Sequence, residues 1–390
     1  MDFLKNKRFL AIDLTHLSVD IFISQRSILL TFIAITLGKD NAWLGLMTTL
    51  AIFFSGLSQP FFGWLSDRVG SKKLIIGGLG WIILCFTIMA FLPISFTPAL
   101  LIAANLGAGA FHPAGATQAI QIGKEDPKKR ESLATSIFFL GGQLAFFIGP
   151  LLGGMLLDSK GISGYLWFLI FTVPVFFWAN HVLKEGPNPA QKDNPVNLAS
   201  KGEIAQVGVF GAILVFIVLA TQAWSQQTVI TYAPKYVAGL GEPAKVYGAI
   251  AAIYMAGSTI GTLSGGYLAD NWGGMRTIRT GMVLSVLPLF LAAYVPFGTA
   301  WFVIMFLSGL FLGLTFSTLI LKGQKLIPSR GGLASGLILG FDFAAGAAAA
   351  IIGGRIADAQ GFQALFTLGA AIAAFGALLS LFIHYKNEKR

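Results

Sequence analysis

An all-α integral membrane protein, with twelve transmembrane helices in two pseudo-symmetric six-helix bundles, is the fold class this sequence predicts. Three observations predict it: the composition, a regular succession of membrane-length apolar segments, and an internal repeat. Of 390 residues, 55% are hydrophobic and 11% charged, against about 25% charged in a soluble domain. With a mean hydropathy of +0.74, the chain has too little polar surface to face water over most of its length. This excludes a cytosolic enzyme. It also excludes a nucleic-acid-binding protein, despite a net charge of +10, because membrane proteins retain Lys and Arg on their cytoplasmic side. A single cysteine, Cys85, excludes a disulfide framework and any Cys-based metal cluster.

A helix crossing about 30 Å of hydrocarbon needs roughly 20 apolar residues. The first such segment, 9–36, follows Lys5, Lys7 and Arg8. Asp13, His16 and Asp20 interrupt what could otherwise pass for a signal-peptide core, so it is expected to remain as a transmembrane helix. Segment 42–65 runs into a charged turn, and 74–93 and 98–121 are parted at Pro93 and Pro98. Segments 132–157 and 162–183 follow the charge run 124–131 and Gly161. Residues 185–203, with three prolines and several charges, form a cytoplasmic linker. The spans 204–233, 244–268, 277–296, 299–321, 331–356 and 361–384 follow it. The expected domains are therefore 1–184 and 204–390, six helices each.

With the N-terminus inside, the terminal segments and even-numbered loops carry 21 of the 27 Lys and Arg residues, and the outer loops only Lys39, Lys160, Lys235 and Lys245. Both termini are expected to be cytoplasmic. The two halves also repeat. Gly63-x-x-x-Asp67-x-x-Gly70-x-x-Lys73 after the second span recurs 203 residues later as Gly266-x-x-x-Asp270-x-x-Gly273-x-x-Arg276, with the same spacing. Gly153-Gly154…Asp158…Gly161 recurs 200 residues on as Gly353-Gly354…Asp358…Gly361. Six-helix repeats around a midplane site are the arrangement of many secondary transporters.

At this point the sequence resembles the major facilitator superfamily over its whole length. The loop Gly63-Trp-Leu-Ser-Asp67-Arg68-Val-Gly70-Ser-Lys72-Lys73 is similar to that family's signature between helices 2 and 3. The resemblance implies that Asp67, with Arg68 as partner, faces the dipole of helix 11 and latches the cytoplasmic side. Gly63, Gly70 and Lys73, with Asp270 and Arg276 of the second copy, complete the gating set. An alternative is a turn with a positive anchor and no gating role. A narrower resemblance, to the fosmidomycin-resistance-type efflux proteins, rests on three segments. These are His16-x-x-x-Asp20, Ser55-Gly-Leu-Ser-Gln59-Pro60 and Gly109-Ala-Phe111-His112-Pro113-Ala-Gly115. Gly149-Pro150-x-x-Gly153-Gly154 is similar to a motif associated with proton-coupled antiporters, although small residues also serve helix packing in general.

The first span is the most informative. At 100° per residue, Asp13, His16, Asp20, Ser24, Ser27 and Thr31 fall within a stripe about 80° wide. Because a charge near the bilayer centre costs roughly 2.5–3.5 kcal/mol, the stripe is expected to line a water-filled cavity; a static hydrogen-bonded core is the alternative. Asp20, near mid-helix, is the first candidate for proton coupling. His16, one turn away, is the second, and Asp13, nearer the mouth, is either a third or a solvated gate. Arg26 lies off the stripe and cannot shed its charge. It either pairs with an acid on a neighbouring helix or binds an anionic substrate; Asp342 is the other deep acid. His112 before Pro113, with Asn105 two turns away, is a candidate for the substrate pathway. So are Gln222, Gln226 and Tyr254, which could equally make interhelical hydrogen bonds. Gly257, Gly261 and Gly265 read as packing.

No metal site is expected, since no i, i+4 His pair or Cys cluster exists, and no cofactor is implied. Without a phosphate loop, an ion or substrate gradient is the expected energy source. These readings converge on a monomeric, non-enzymatic transporter in a bacterial-type inner membrane. Its partners would be lipid, protons and a small-molecule substrate, with no nucleic acid. The expected activity is proton-coupled export of a small organic, polar or anionic compound. Rival readings are proton-coupled uptake of an organic anion, a lipid or lysolipid flippase, and a non-transporting membrane sensor.

Overall fold

A computed structural model of the chain describes residues 5–125, 131–184, 200–327 and 331–385. Most of the expected linker, 185–199, lies outside the described residues. Among those described the chain is helical throughout, without strands: α1 (Lys7–Ile23), α2 (Arg26–Thr36), α3 (Asn41–Ile52), α4 (Gln59–Val69), α5 (Ser71–Met89), α6 (Thr97–Glu125), α7 (Glu131–Lys160), α8 (Leu169–Val182), α9 (Ser200–Gly239), α10 (Ala244–Trp272), α11 (Gly274–Tyr294), α12 (Thr299–Leu326) and α13 (Gly331–Leu381). Backbone groups have no water to pair with inside a bilayer, so helices that satisfy themselves are what an apolar chain can use there.

Among the described residues, ten stretches are long and apolar enough to cross a membrane. Two of them, Ile137–Val182 and Leu337–Leu381, run 46 and 45 residues, and each corresponds to a pair of the expected spans. Their midpoints carry the repeat glycines Gly161 (φ 63°) and Gly361 (φ 84°) in the left-handed region, where other residues are strained. The signature glycines act alike. Gly70 (φ 95°) separates α4 from α5, and Gly273 (φ 103°) separates α10 from α11. A third pair, Gly38 (φ 60°) and Gly241 (φ 88°), also lies 203 residues apart.

Prolines and polar side chains shape the helices locally. The Asn6 side chain caps α1 through Arg8 N at 2.9 Å. The helix breaks after Ile23, where Ser24 Oγ and Gln25 Nε2 both donate to the Ile21 carbonyl, at 3.1 and 2.7 Å. The Ser55–Pro60 segment forms a π turn, Phe53–Leu57, between α3 and α4. Pro60 accounts for it, since its ring cannot sit against the carbonyl one turn back.

The described residues cluster into two compact units. One is drawn from the described residues within Met1–Leu37, Leu50–Asn194 and Pro243–Ala249; the other from those within Gly38–Thr49, Pro195–Glu242 and Ile250–Arg390. In the first unit Lys245 Nζ lies 3.6 Å from Asp158, and Arg8 pairs with Glu125 at 3.2 Å. The second unit centres on Val215, Leu219, Ile278, Met282 and Leu319. Its repeat aspartate, Asp358, caps the start of α3: one carboxylate oxygen accepts from Asn41 N at 2.9 Å and Asn41 Nδ2 at 2.8 Å, the other from Ala42 N at 2.7 Å. Gly257, Gly261 and Gly265 of α10 lie directly against the backbone of α12 at Phe306, Leu310 and Leu314. They are packing glycines, as their spacing implied.

Candidate functional site

The polar stripe runs from α1 into α2 in the first unit and is mostly buried: His16 is 2% exposed, Asp20 3% and Thr31 fully enclosed, while Asp13 is half-buried. Its buried members face packed protein here, whereas Asp13 and the neighbouring His112 keep some exposure. Its neighbour is a row of glycines on α7. Gly141 abuts Asp13, Gly142 abuts His16 and Asp20, Gly149 abuts Ser24, and Gly153 abuts Gln25. Without side chains at these positions, α7 can approach closely enough to cover polar groups that would otherwise demand water. Gly149 and Gly153 belong to the Gly149-Pro150 motif, so in this structure the motif serves the fit against α1.

Asp20 is shared by two histidines. Its Oδ2 lies 3.0 Å from His16 Nε2, one turn away on α1. Its Oδ1 lies 3.3 Å from His112 Nε2, delivered by α6 one residue before Pro113. Each imidazole is fixed on its far side: His16 Nδ1 faces the Phe138 carbonyl at 2.7 Å, and His112 Nδ1 faces the Ala108 carbonyl at 2.8 Å. The His16 ring stacks on Phe138, with centroids 4.1 Å apart, and sits 5.3 Å from the His112 ring. His16 and Asp20 were legible from their i, i+4 spacing. The meeting of His112 with Asp20 was not, because nothing in the spacing sets the rotation of α6 against α1.

The geometry constrains the protons. A carbonyl oxygen only accepts, so each Nδ1 carries hydrogen. A neutral imidazole would then present its Nε2 lone pair to a carboxylate, which is repulsive. Each of the two Nε2–carboxylate contacts therefore needs a bridging proton or another cation. With both present, two imidazolium ions and a carboxylate sum to +1; with one removed the trio is neutral. The arrangement can hold or release a proton without exposing a bare charge of large magnitude.

Other expected site residues fall as follows. Asp13 Oδ1 is buried without a hydrogen-bond partner among the described residues. Arg26 opens α2, and its guanidinium makes no hydrogen bond or ion pair among the described residues. Asn105 is fully buried and turns its Nδ2 back to the Leu101 carbonyl at 2.8 Å. Arg68 stacks over the Trp64 ring at 4.0 Å at the end of α4.

In the second unit, Gln222 Nε2 reaches Gln226 Oε1 at 2.8 Å and the Leu312 carbonyl at 3.4 Å, an interhelical bond between α9 and α12. Tyr254 is 2% exposed and its hydroxyl has no hydrogen-bond partner among the described residues, and neither has Asp342 Oδ1. The same unit carries an open, apolar groove of about 510 Å³ lined by Phe216, Ile217, Thr221, Trp224, Phe341 and Ile372, among others.

The Major Facilitator Superfamily model matches residues 19–340 and 245–390. The chain is 25% identical to the fosmidomycin resistance protein of Escherichia coli (strain K12), covering 97% of this chain and 93% of that protein. It is 26% identical to the multidrug resistance protein MdtG of Dickeya zeae (strain Ech586), covering 87% and 84%. Among solved structures, the nucleoside transporter NupG superposes with a TM-score of 0.72 at 13% identity, covering 96% of this chain and 97% of that one. A bacterial homolog of the human lysosomal transporter Spinster, inward-facing and occupied, gives 0.75 at 13% identity, covering 96% and 95%.

Proposed function

The chain belongs to the major facilitator superfamily and is a membrane transporter rather than an enzyme, and on that premise we propose that it exports a small organic anion in exchange for protons. The observation that carries this reading is the trio His16–Asp20–His112. Two imidazoles anchored on backbone carbonyls share one buried carboxylate, so the site has room for an exchangeable proton. In this reading alternating access works because proton and substrate favour opposite states, each turning the site over for the other.

Export is supported by relatives named for resistance to fosmidomycin and to multiple drugs, an outcome that efflux produces. The anionic character of the substrate is supported by Arg26, a guanidinium inside a membrane-spanning segment with no acid partner among the described residues. The protein then sits in the cytoplasmic membrane with both termini inside, as its Lys and Arg distribution favours. Arg26 equally favours a second reading, uptake of an organic anion together with protons.

Everted membrane vesicles with a pH-sensitive dye separate the two. A panel including phosphonates is added to wild type and to Asp20→Asn. Proton efflux from the lumen on adding a compound, lost in the variant, is the expected result for antiport. The opposite sign of pH change establishes symport. Wild-type coupling in Asp20→Asn defeats the role given to the trio.

A further inference from the structure

We propose that His16, Asp20 and His112 form a binding site for one divalent transition-metal ion of the zinc and cobalt class. Their donor atoms all lie within 4.8 Å of one another. Two ligands held 2.0–2.1 Å from a zinc ion at the tetrahedral angle are about 3.3 Å apart. The observed His16 Nε2–Asp20 Oδ2 and His112 Nε2–Asp20 Oδ1 separations are 3.0 and 3.3 Å. The two histidines meet different oxygens of Asp20, so an ion would have to draw together three donors that now lie within 4.8 Å of one another.

The surroundings are those of a metal site. A ligating histidine ordinarily gives its second N–H to a carbonyl or carboxylate, which fixes the tautomer and aims the lone pair. Both histidines do so here, to Phe138 and Ala108, and in both the nitrogen left for the metal is the one facing Asp20. Asp20 turns one oxygen toward each histidine, Oδ2 to His16 and Oδ1 to His112, so the carboxylate already faces both nitrogens. Phe138 and Phe111 pack against the His16 ring and hold it in place.

Charge also fits. Two neutral imidazoles, a carboxylate and a divalent ion sum to +1, the same as two imidazolium ions and a carboxylate, so the surroundings meet no new charge. The donor set selects the class. Two imidazoles and one carboxylate suit zinc, cobalt, nickel or iron(II). Calcium and magnesium want more oxygen ligands than one carboxylate supplies, and no thiolate is present among the three for copper(I). Three protein ligands leave one position for water or substrate.

The site coincides with the proposed proton site but does not depend on it, because metal binding is read at equilibrium with no gradient and no substrate. Purified full-length protein in detergent is titrated with Co²⁺, following visible absorption, and then with Zn²⁺. One Co²⁺ per chain, giving the intense ligand-field band of four-coordinate cobalt and displaced by Zn²⁺, is expected. Asp20→Asn and His112→Ala weaken binding more than about 100-fold, beyond what loss of an outer-shell partner does; His181→Ala, at the far end of α8, leaves it intact. No band in wild type, or binding retained by both ligand variants, overturns the proposal. Should a ligand variant fail to fold, X-ray absorption on zinc-loaded wild type decides: scattering from two imidazoles supports the site, and an oxygen-only shell refutes it. A protein that binds cobalt yet moves no protons defeats the transport reading and leaves this one standing.

Discussion

Gly142→Ala tests whether the fit of α7 against α1 is what positions the buried trio. A methyl group on Gly142 would fall 2.6 Å from His16 Nε2 and 2.7 Å from Asp20 Oδ2. Ordinary contact is about 3.5 Å, so the two groups must yield by roughly 0.8–0.9 Å. Neither can yield easily. His16 is clamped between the Phe138 carbonyl and ring, and Asp20 is held between two imidazoles. The alternative is for α7 to back away, opening the packing along Gly141, Gly149 and Gly153. Overpacking of this kind costs about 1–3 kcal/mol. We expect a lower melting temperature, loss of substrate-triggered proton movement in everted vesicles, and weaker Co²⁺ binding, although every ionisable group is still present. Gly77→Ala, where an added methyl meets nothing within 4 Å, is the control and should behave as wild type. If Gly142→Ala keeps wild-type stability and coupling, the inference that glycine packing sets the trio's geometry is wrong.

Arg26→Gln should raise the KM for an anionic substrate about tenfold or more, the worth of a charge-assisted hydrogen bond, with Arg26→Lys in between; an unchanged KM in transport kinetics removes Arg26 from the site. Asp358→Ala should destabilise the protein by about 0.5–2 kcal/mol, as loss of a helix cap does, and Asp358→Asn by less; equal melting curves for all three would show that the cap contributes nothing. Gly70→Ala and Gly273→Ala should each cost about 1–3 kcal/mol, because their backbone angles suit glycine alone, and the two losses should be similar in thermal unfolding if the repeats are equivalent.

Much of the fold could be read from the residues because its determinants are local. Membrane-length apolar runs, and glycines recurring at fixed offsets, mark helices and turns directly, and the repeated Gly70, Gly161, Gly273 and Gly361 all turn out to have positive φ. The site was only half visible. His16 and Asp20 share a helix face by spacing, whereas His112 arrives from α6 through tertiary packing. The stripe on α1 was read as facing water because a helical wheel shows where polar groups cluster and not what covers them. What covers them is a row of glycines, which carries no polar signature of its own. Gln222 shows the converse: its shared face with Gln226 was visible in the sequence, but its bond to the Leu312 carbonyl depends on where α12 packs.

The cap at Asp358 also imposes a sequence of events during synthesis. Residues 38–49 leave the ribosome early, yet the carboxylate that completes the start of their helix lies 316 positions beyond Ala42. Contacts closed over so long a stretch of chain form late. Until residue 358 has been translated, the amides of Asn41 and Ala42 must find other acceptors, so one of the first segments inserted is among the last to be finished. A nascent chain that stops short of that point leaves this helix start without its cap.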